Sequence, residues 1–578
     1  MSDLAGFGEL WPAEQRLVAW LQAGNREAFV VSPALPGPDA PREVRLRASF
    51  VRALALGGFE DCKVSERGLR VWGAVIEGDG PEGAETRGLD LQGCTLAGDL
   101  GLVHCHFADL VLLRGARLQS LSLNDSVLAQ GLGGDGLEAR GGVFLRGVKA
   151  TGEVRLLGAK LGGDLDCTGA AFTAGEGEWA LNAAGLEARR AILSSVKAKG
   201  AVGLLGAKLD AYLDCKGAEF AAGEGKWALY ADGIEARGTL FLDSVKATGA
   251  VQLLGATLGG DLSCMGAEFT AGNGGHALAV QGAQITGVFF LCEGAKVKGL
   301  LDLTTAEIGT IVDDPACWPG PGNLVLDRCR YGAFIGAPVD AKTRLRWLAL
   351  QDPARFKQEF WPQPYEECAR VLREMGHQGD ARKILIAKER LQRRARRARI
   401  NRFHPKRWAY LVADALLAIT VRYGREPLWA FAWLAGILLI GWGAFGYAAS
   451  AGAIKPNLPQ IQRAPEWVLC GFASDARRHV PSLGRIVSGR AAPGETQLAC
   501  FQRQPEGRAY PRFNAFVYSA DTLIPVVALE MQSYWIPDDS SARGAAARVY
   551  LWLHIAAGWG LTLLAVAGFS GLIKMDSK

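Results

Sequence analysis

Val154-Arg-Leu156-Leu-Gly158-Ala159-Lys-Leu161 is followed eleven residues on by Leu165-Asp-Cys167-Thr-Gly169-Ala170-Ala-Phe172. The phrase returns as Val251-Gln-Leu253-Leu-Gly255-Ala256-Thr-Leu258 and then Leu262-Ser-Cys264-Met-Gly266-Ala267-Glu-Phe269. Apolar residues stand at positions 0, 2 and 7, with Gly-Ala at 4 and 5. Alternation at 0 and 2 describes a strand of two or three residues, and the glycine permits a sharp corner after it. Leu156, Leu161, Cys167 and Phe172 then step by five, six and five residues. That spacing fits no 3.6-residue helical period, and a helix would not tolerate so much glycine. The fold class is mainly β, a β-solenoid.

A longer period lies over this one. Ala174-Gly-Glu-Gly-Glu-Trp-Ala-Leu181 recurs as Ala222-Gly-Glu-Gly-Lys-Trp-Ala-Leu229 and, altered, as Ala271-Gly-Asn-Gly-Gly-His-Ala-Leu278. Cys167, Cys215 and Cys264 recur with it at offsets of 48 and 49. Two elevens make one coil of about 22 residues, so each 49-residue unit is two coils plus a loop. About eleven coils at a strand spacing of roughly 4.8 Å predict a rod of about 50 Å. The five-residue step and small corner residues resemble the pentapeptide-repeat and bactofilin-type right-handed β-helices over residues 68–313. The resemblance implies a right-handed coil. The pattern departs from strict pentapeptides by an extra residue per pair and by the missing Asp or Asn before the central Leu. Lys160, Lys197, Lys199 and Lys246 interleave with acidic residues, which argues against a mimic of a polyanion.

Working outward, residues 1–67 read as a small helical cap: Trp11-Pro12 opens one amphipathic pattern and Val44 to Leu54 carries another. A solenoid needs its first coil covered. The start Met-Ser-Asp-Leu has neither a basic nor an apolar leader pattern, so the N-terminal part is expected to be cytoplasmic, with reduced thiols.

After Cys317-Trp-Pro-Gly-Pro-Gly322 the period changes, and residues 314–426 read as a helical, basic juxtamembrane stalk. Its Tyr365 to Leu385 part resembles a single tetratricopeptide-like helix pair. From Arg382 to Arg407 there are twelve Lys/Arg and one Glu. Lying about twenty residues before an uncharged stretch, this run is expected to adhere to anionic membrane lipids rather than to nucleic acid.

Residues 427–578 read as a membrane module. Leu428 to about 450 and Val549 to Ile573 are each long and apolar enough to span about 30 Å of hydrocarbon. The basic flank places both chain ends inside and the loop 451–548 outside. Trp408 to Thr420 is apolar too; Asp414 and Arg422 favour an interfacial helix over a further crossing, which would change the topology. Cys470 and Cys500 are the only cysteines of the outer segment and form a candidate disulfide. Residues 513–530 are apolar but short, and helix, half-buried segment, helix resembles the pore module of two-helix potassium channels, without its T-V-G-Y-G filter. Asp521 and Glu530 are candidates for a cation path, or else cap an interfacial helix. Gly446 with Ser450, and Gly568 with Gly571, offer close helix contacts and hence a homo-oligomer.

Chemistry-bearing motifs are weak. Gly131-Leu-Gly133-Gly-Asp-Gly136 matches a dinucleotide fingerprint, yet it continues into solenoid sequence where a helix is required. No cofactor is expected. The cysteine ladder lacks C-x-x-C spacing and replaces core leucines, so buried thiols are expected; His104-Cys105-His106 would set two imidazoles on one strand face. Trp179 and Trp227, aligned with His276, either form a partner-binding stripe or fold back onto the rod. The reading is an inner-membrane protein of bacterial type that presents a cytoplasmic solenoid as a binding or sensing scaffold for an unknown protein partner. The alternative is a ligand-gated channel or membrane-permeabilising effector. A membrane-associated oxidoreductase is third, and no motif carries that chemistry.

Overall fold

The computed structural model describes residues 4–60, 62–96, 98–175, 177–223, 226–272, 275–426 and 428–569. The chain divides into two compact units, Met1–Lys388 and Glu389–Lys578.

The first unit is a parallel β-solenoid of about ten turns. One coil contributes Glu138–Ala139, Val143–Phe144, Lys149–Thr151 and Val154–Arg155, and the next lays Lys160–Leu161, Leu165–Asp166, Ala171–Thr173 and Trp179–Asn182 beside them in parallel register. Two adjacent faces merge into a twenty-stranded sheet, and the other two form sheets of eleven and ten strands. Glu138 pairs with Lys160, Lys160 with Glu187, Glu187 with Lys208 and Lys208 with Glu235, giving coils of 22, 27, 21 and 27 residues. The 48–49-residue period is therefore one short coil and one long coil. The extra residues of each long coil are the Gly/Trp loop, whose Glu176, Glu224, Gly225, Asn273 and Gly274 lie outside the described residues.

Every apolar position of the eleven-residue phrase points inward. Leu156, Cys167 and Phe172 are completely buried, and Phe220 and Phe269 repeat Phe172 in later coils. Each such Phe is worth about 1.5–3 kcal/mol by burial. Corners turn through left-handed backbone: Gly158 has φ 60°, and Ser195 and Ser244 accept φ 59° and 57° at other corners, at a cost of order 1 kcal/mol each. Gly249 is required for a second reason. Its φ is 122°, and a Cβ there would stand 2.5 Å from the Ala222 Cβ.

The paired strands exceed the expected 68–313. They begin at Phe29–Val30, which pairs with Val71–Trp72, and end at Arg330–Phe334. Helices α1 (Pro12–Gln22) and α2 (Ala48–Ala55) contribute Leu17, Val18, Phe50, Val51 and Leu54 to the same core. At the other end α3 (Ala341–Leu348) and α4 (Gln363–Glu374) bury Trp347, Leu348, Cys368 and Leu372 in it, as do Ile384 and Leu385 of α5 (Gln378–Ala398). The compact unit therefore extends to Lys388.

The second unit holds α6 (Pro405–Thr420), α7 (Leu428–Ser450), α8 (Ala515–Leu523) and α9 (Ala542–Phe569). Two of them, α7 and α9, are long and apolar enough to cross a membrane. The last residues of the second expected span, 570–573, lie outside the described residues, as does the tail with Gly571. Between these two helices the chain folds. Ile454–Pro456 pairs antiparallel with Trp535–Pro537, and Lys455 reaches Asp538 at 2.8 Å. Trp467, Phe501, Tyr510 and Trp535 share a buried core there.

Candidate functional site

Trp179 and Trp227 open the strands that follow the Gly/Trp loops, on the ten-stranded sheet. Their rings stack at 6.3 Å with 17° between planes, and Tyr230 joins both at 6.2 and 4.9 Å. They lie down on the rod. A Cβ at Gly203, one coil on from Trp179, would meet the Trp179 Cζ3 at 2.7 Å, so this glycine makes room for the indole. The three rings stay half-buried and make an aromatic cluster on the outer sheet face, with Tyr230 tilted 48° and 31° to the two indoles. Trp and Tyr carry a large apolar area on rigid rings with only two rotatable side-chain bonds. His276 holds the equivalent place two coils on, paired with Leu300. Further along, Leu300 and Val325 are covered by Trp361 of the same chain.

The rest of the rod surface is balanced in charge. Arg117, Glu138, Lys160, Glu187, Lys208 and Glu235 succeed one another across neighbouring strands. Arg117 and Glu138 approach to 2.9 Å, Lys160 and Glu187 to 3.9 Å, and on another face Lys296 and Glu268 to 2.5 Å. Opposite charges placed across strands favour the register by a few tenths of a kcal/mol per pair. This leaves no single-signed strip along these rows for a polyelectrolyte.

One ion cluster is stronger. Asp164 takes Arg189 and Arg190 together, with bonds of 2.5–3.1 Å, and Arg190 also donates to the Tyr212 hydroxyl at 2.9 Å. Arg190, then Arg189, hold the Asp164 carboxyl down to about 2 against the burial that opposes them. A depressed carboxyl stabilises the fold above its ordinary pKa, and that contribution disappears as pH falls through the folded value. Acid titration of the folded protein is expected to show a loss of stability between about pH 4 and pH 2. Other depressed carboxyls, Asp166 and Asp380 among them, share that range, so the Asp164→Asn variant should show a smaller loss there; an unchanged acid profile would remove the cluster from the explanation.

The His104-Cys105-His106 expectation is corrected. His104 sits at a left-handed corner, φ 51°, after the strand Asp99–Val103, and His106 begins the next strand. The two imidazoles therefore do not share a strand face. His104 stacks on Trp72 at 4.4 Å and lies 3.6 Å from Asp125. Cys105 points into the core, where burial pushes its thiol up to about 12. Cys167, Cys215 and Cys264 are fully buried, and burial raises their thiols further. Among the described residues no group of three His, Cys, Asp or Glu is arranged to hold a metal ion.

In the helical unit Cys470 and Cys500 are joined in a disulfide with 5.5 Å between Cα atoms. Both Asp521 oxygens are taken by backbone amides, Leu529 at 2.6 Å and Gln532 at 2.7 Å, so this carboxylate caps the turn that follows α8. Glu530 is exposed at the entry to a short helix, with φ 60°. Gly446 faces Ala515 of the same chain, 3.8 Å from a notional Cβ. A polar knot absent from any motif lies deeper. The Ser519 hydroxyl donates to the Leu438 carbonyl at 2.9 Å, and His554 Nε2 lies 3.1 Å from the Ser519 carbonyl. His554 Nδ1 lies 3.3 Å from the Tyr550 hydroxyl. With its nitrogens engaged this way, the imidazole locks α8 to α9; Ser519 and His554 are both buried.

No family model matches the chain, and no curated protein matches it. Among solved structures the solenoid is similar to HetL, a pentapeptide repeat protein involved in heterocyst differentiation regulation from the cyanobacterium Nostoc sp. strain PCC 7120. The match covers 43% of this chain and 88% of that one at 15% identity, with a TM-score of 0.17. At that overlap the likeness carries no argument, and the fold rests on the strand pairing. The chain is a parallel β-solenoid followed by a helical unit with two helices long enough and apolar enough to span a membrane.

Proposed function

We propose that the protein is anchored in a plasma (inner) membrane by α7 and α9 and presents its solenoid on the cytoplasmic side as a binding scaffold. Right-handed winding and a helical cap belong to this reading. The observation that carries it is a separation of thiol chemistry along the chain. The disulfide lies between the two apolar helices, while Met1–Lys388 holds ten free cysteines. Disulfides persist in oxidising compartments and are rare in the cytosol. Only 17% and 28% of the most apolar windows of α7 and α9 are buried within the protein, so hydrocarbon is the medium that suits their remaining surface.

Alkaline phosphatase, which folds only where disulfides form, tests the topology. Inserted after Gly494 it is expected to be active and after Lys357 inactive; equal activity at both sites overturns the reading. The aromatic cluster is the contact surface in this scheme. Replacing Trp179 and Trp227 by Ala is expected to weaken capture of a crosslinked partner about thirtyfold, the effect of losing one hot spot of roughly 2 kcal/mol. Equal recovery with unchanged circular dichroism would remove the aromatic cluster from the interface.

A further inference from the structure

Helix α6 is built inside out for a protein in water. Trp408, Leu411, Val412, Leu416 and Ile419 recur at three- and four-residue steps and are all exposed, Trp408 at 63%. Its one acidic residue, Asp414, is 7% exposed and faces the protein. Arg393 Nη1 donates to Asp414 Oδ1 at 2.9 Å, and Arg397 takes Oδ2. Both arginines come from the last turns of α5. The apolar stripe and the charge are thus segregated to opposite sides of a sixteen-residue helix, with the carboxylate as the residue that sets the rotation.

Cations gather at the start of this helix. Arg394, Arg402 and Lys406 are exposed, and Arg396 lies over the Tyr410 ring at 4.7 Å. At its other end the helix is tied to α7. Trp433 Nε1 donates to the Ile419 carbonyl at 3.1 Å, Arg422 pairs with Glu426 at 2.7 Å, and Val421 packs with Ala430. The exposed stripe is therefore continuous in the chain with an apolar helix long enough to span a bilayer.

We infer that α6 lies in the surface of an anionic membrane, its Trp408–Ile419 stripe among acyl chains and the α5–α6 cations on lipid phosphates. An exposed apolar face rimmed by Arg and Lys is the pattern of a helix that binds the interface rather than crossing it. The attraction to anionic headgroups adds to the apolar term. This inference rests on the membrane anchoring proposed above and adds a second, in-plane contact with a lipid class.

The test uses the full chain in vesicles of phosphatidylcholine with one-third phosphatidylglycerol, carrying a benzophenone amino acid in place of Leu416 or, separately, Leu439 of α7. Leu439 is exposed on the candidate span and reports insertion by itself. Lipid adducts are expected at both positions, with phosphatidylglycerol supplying about two-thirds or more of those at 416, about twice its mole fraction. A lipid adduct at 439 with none at 416 overturns the inference and leaves the anchoring intact. A crosslink from 416 to a second copy, or to another segment of its own chain, overturns it as well. Adducts at 416 without anionic enrichment overturn the headgroup contact. Failure at 439 overturns the anchoring.

Discussion

Replacing Arg344 by Ala is expected to cost about 3–5 kcal/mol, the price of leaving a buried carboxylate without its partner. Arg344 is fully buried on α3, and its two Nη atoms each meet an Asp313 oxygen at 2.8 Å. Its Nε donates to the Pro338 carbonyl at 2.7 Å, and the guanidinium lies 3.6 Å from the Phe334 ring centre. Trp318 Nε1 donates to the same Asp313 carboxylate at 2.7 Å. The pair thus fastens α3 to the final strands of the solenoid, where Asp313 closes the strand Glu307–Asp313.

Solenoid coils depend mainly on their neighbours. The Arg344→Ala loss should therefore appear as faster amide exchange in 307–334, with little change in the strands near Val143 and Leu165. Uniform loosening along the rod, or none, would contradict this account. The double variant Asp313→Leu with Arg344→Met should regain much of the stability, because apolar residues of similar volume often replace a buried pair without loss.

The second large effect is expected at Gly558. A Cβ there would stand 1.8 Å from the Leu523 carbonyl oxygen, at the end of α8. On the opposite side Gly441 of α7 leaves room for Ser519 and His554, whose atoms would lie 2.3 and 2.5 Å from its Cβ. The short helix is held between two glycines, the small-residue contact that lets helix backbones approach closely. Gly558→Val should displace α8 at a cost of about 3 kcal/mol, the upper part of the usual overpacking range. In detergent this reads as a lower unfolding temperature and as thiol labelling of a Thr522→Cys reporter that is protected in the parent. Thr522 is buried in the native protein. Gly443→Val is the control, since nothing stands within 4 Å of its Cβ. Equal behaviour of the two glycine variants would refute the wedge.

Much of this architecture is written in the order of residues, because a solenoid makes its contacts at a fixed chain interval. Leu156, Cys167 and Phe172 can be assigned to the interior from spacing alone, and the 48–49-residue period resolves into a short and a long coil. The alternation from Arg117 to Glu235 is also in the sequence, but it becomes visible only when the steps of 21, 22 and 27 are known. A uniform 22-residue frame would have scrambled it. The two long apolar helices follow from composition for a similar reason, as each satisfies its backbone within itself.

What tertiary structure alone decided has no period. Asp313 meets Arg344 across 31 residues, Asp414 meets Arg393 and Arg397, and Gly203 yields space to Trp179. His104 leaves the strand because the coil turns a corner there, which its alternating neighbours do not announce. The segment 451–541 acquires a clasp and a core because its ends are brought together by α7 and α9. Contacts repeated by a coil are encoded locally, whereas those made where one element meets an unrelated one depend on how the chain closes in space.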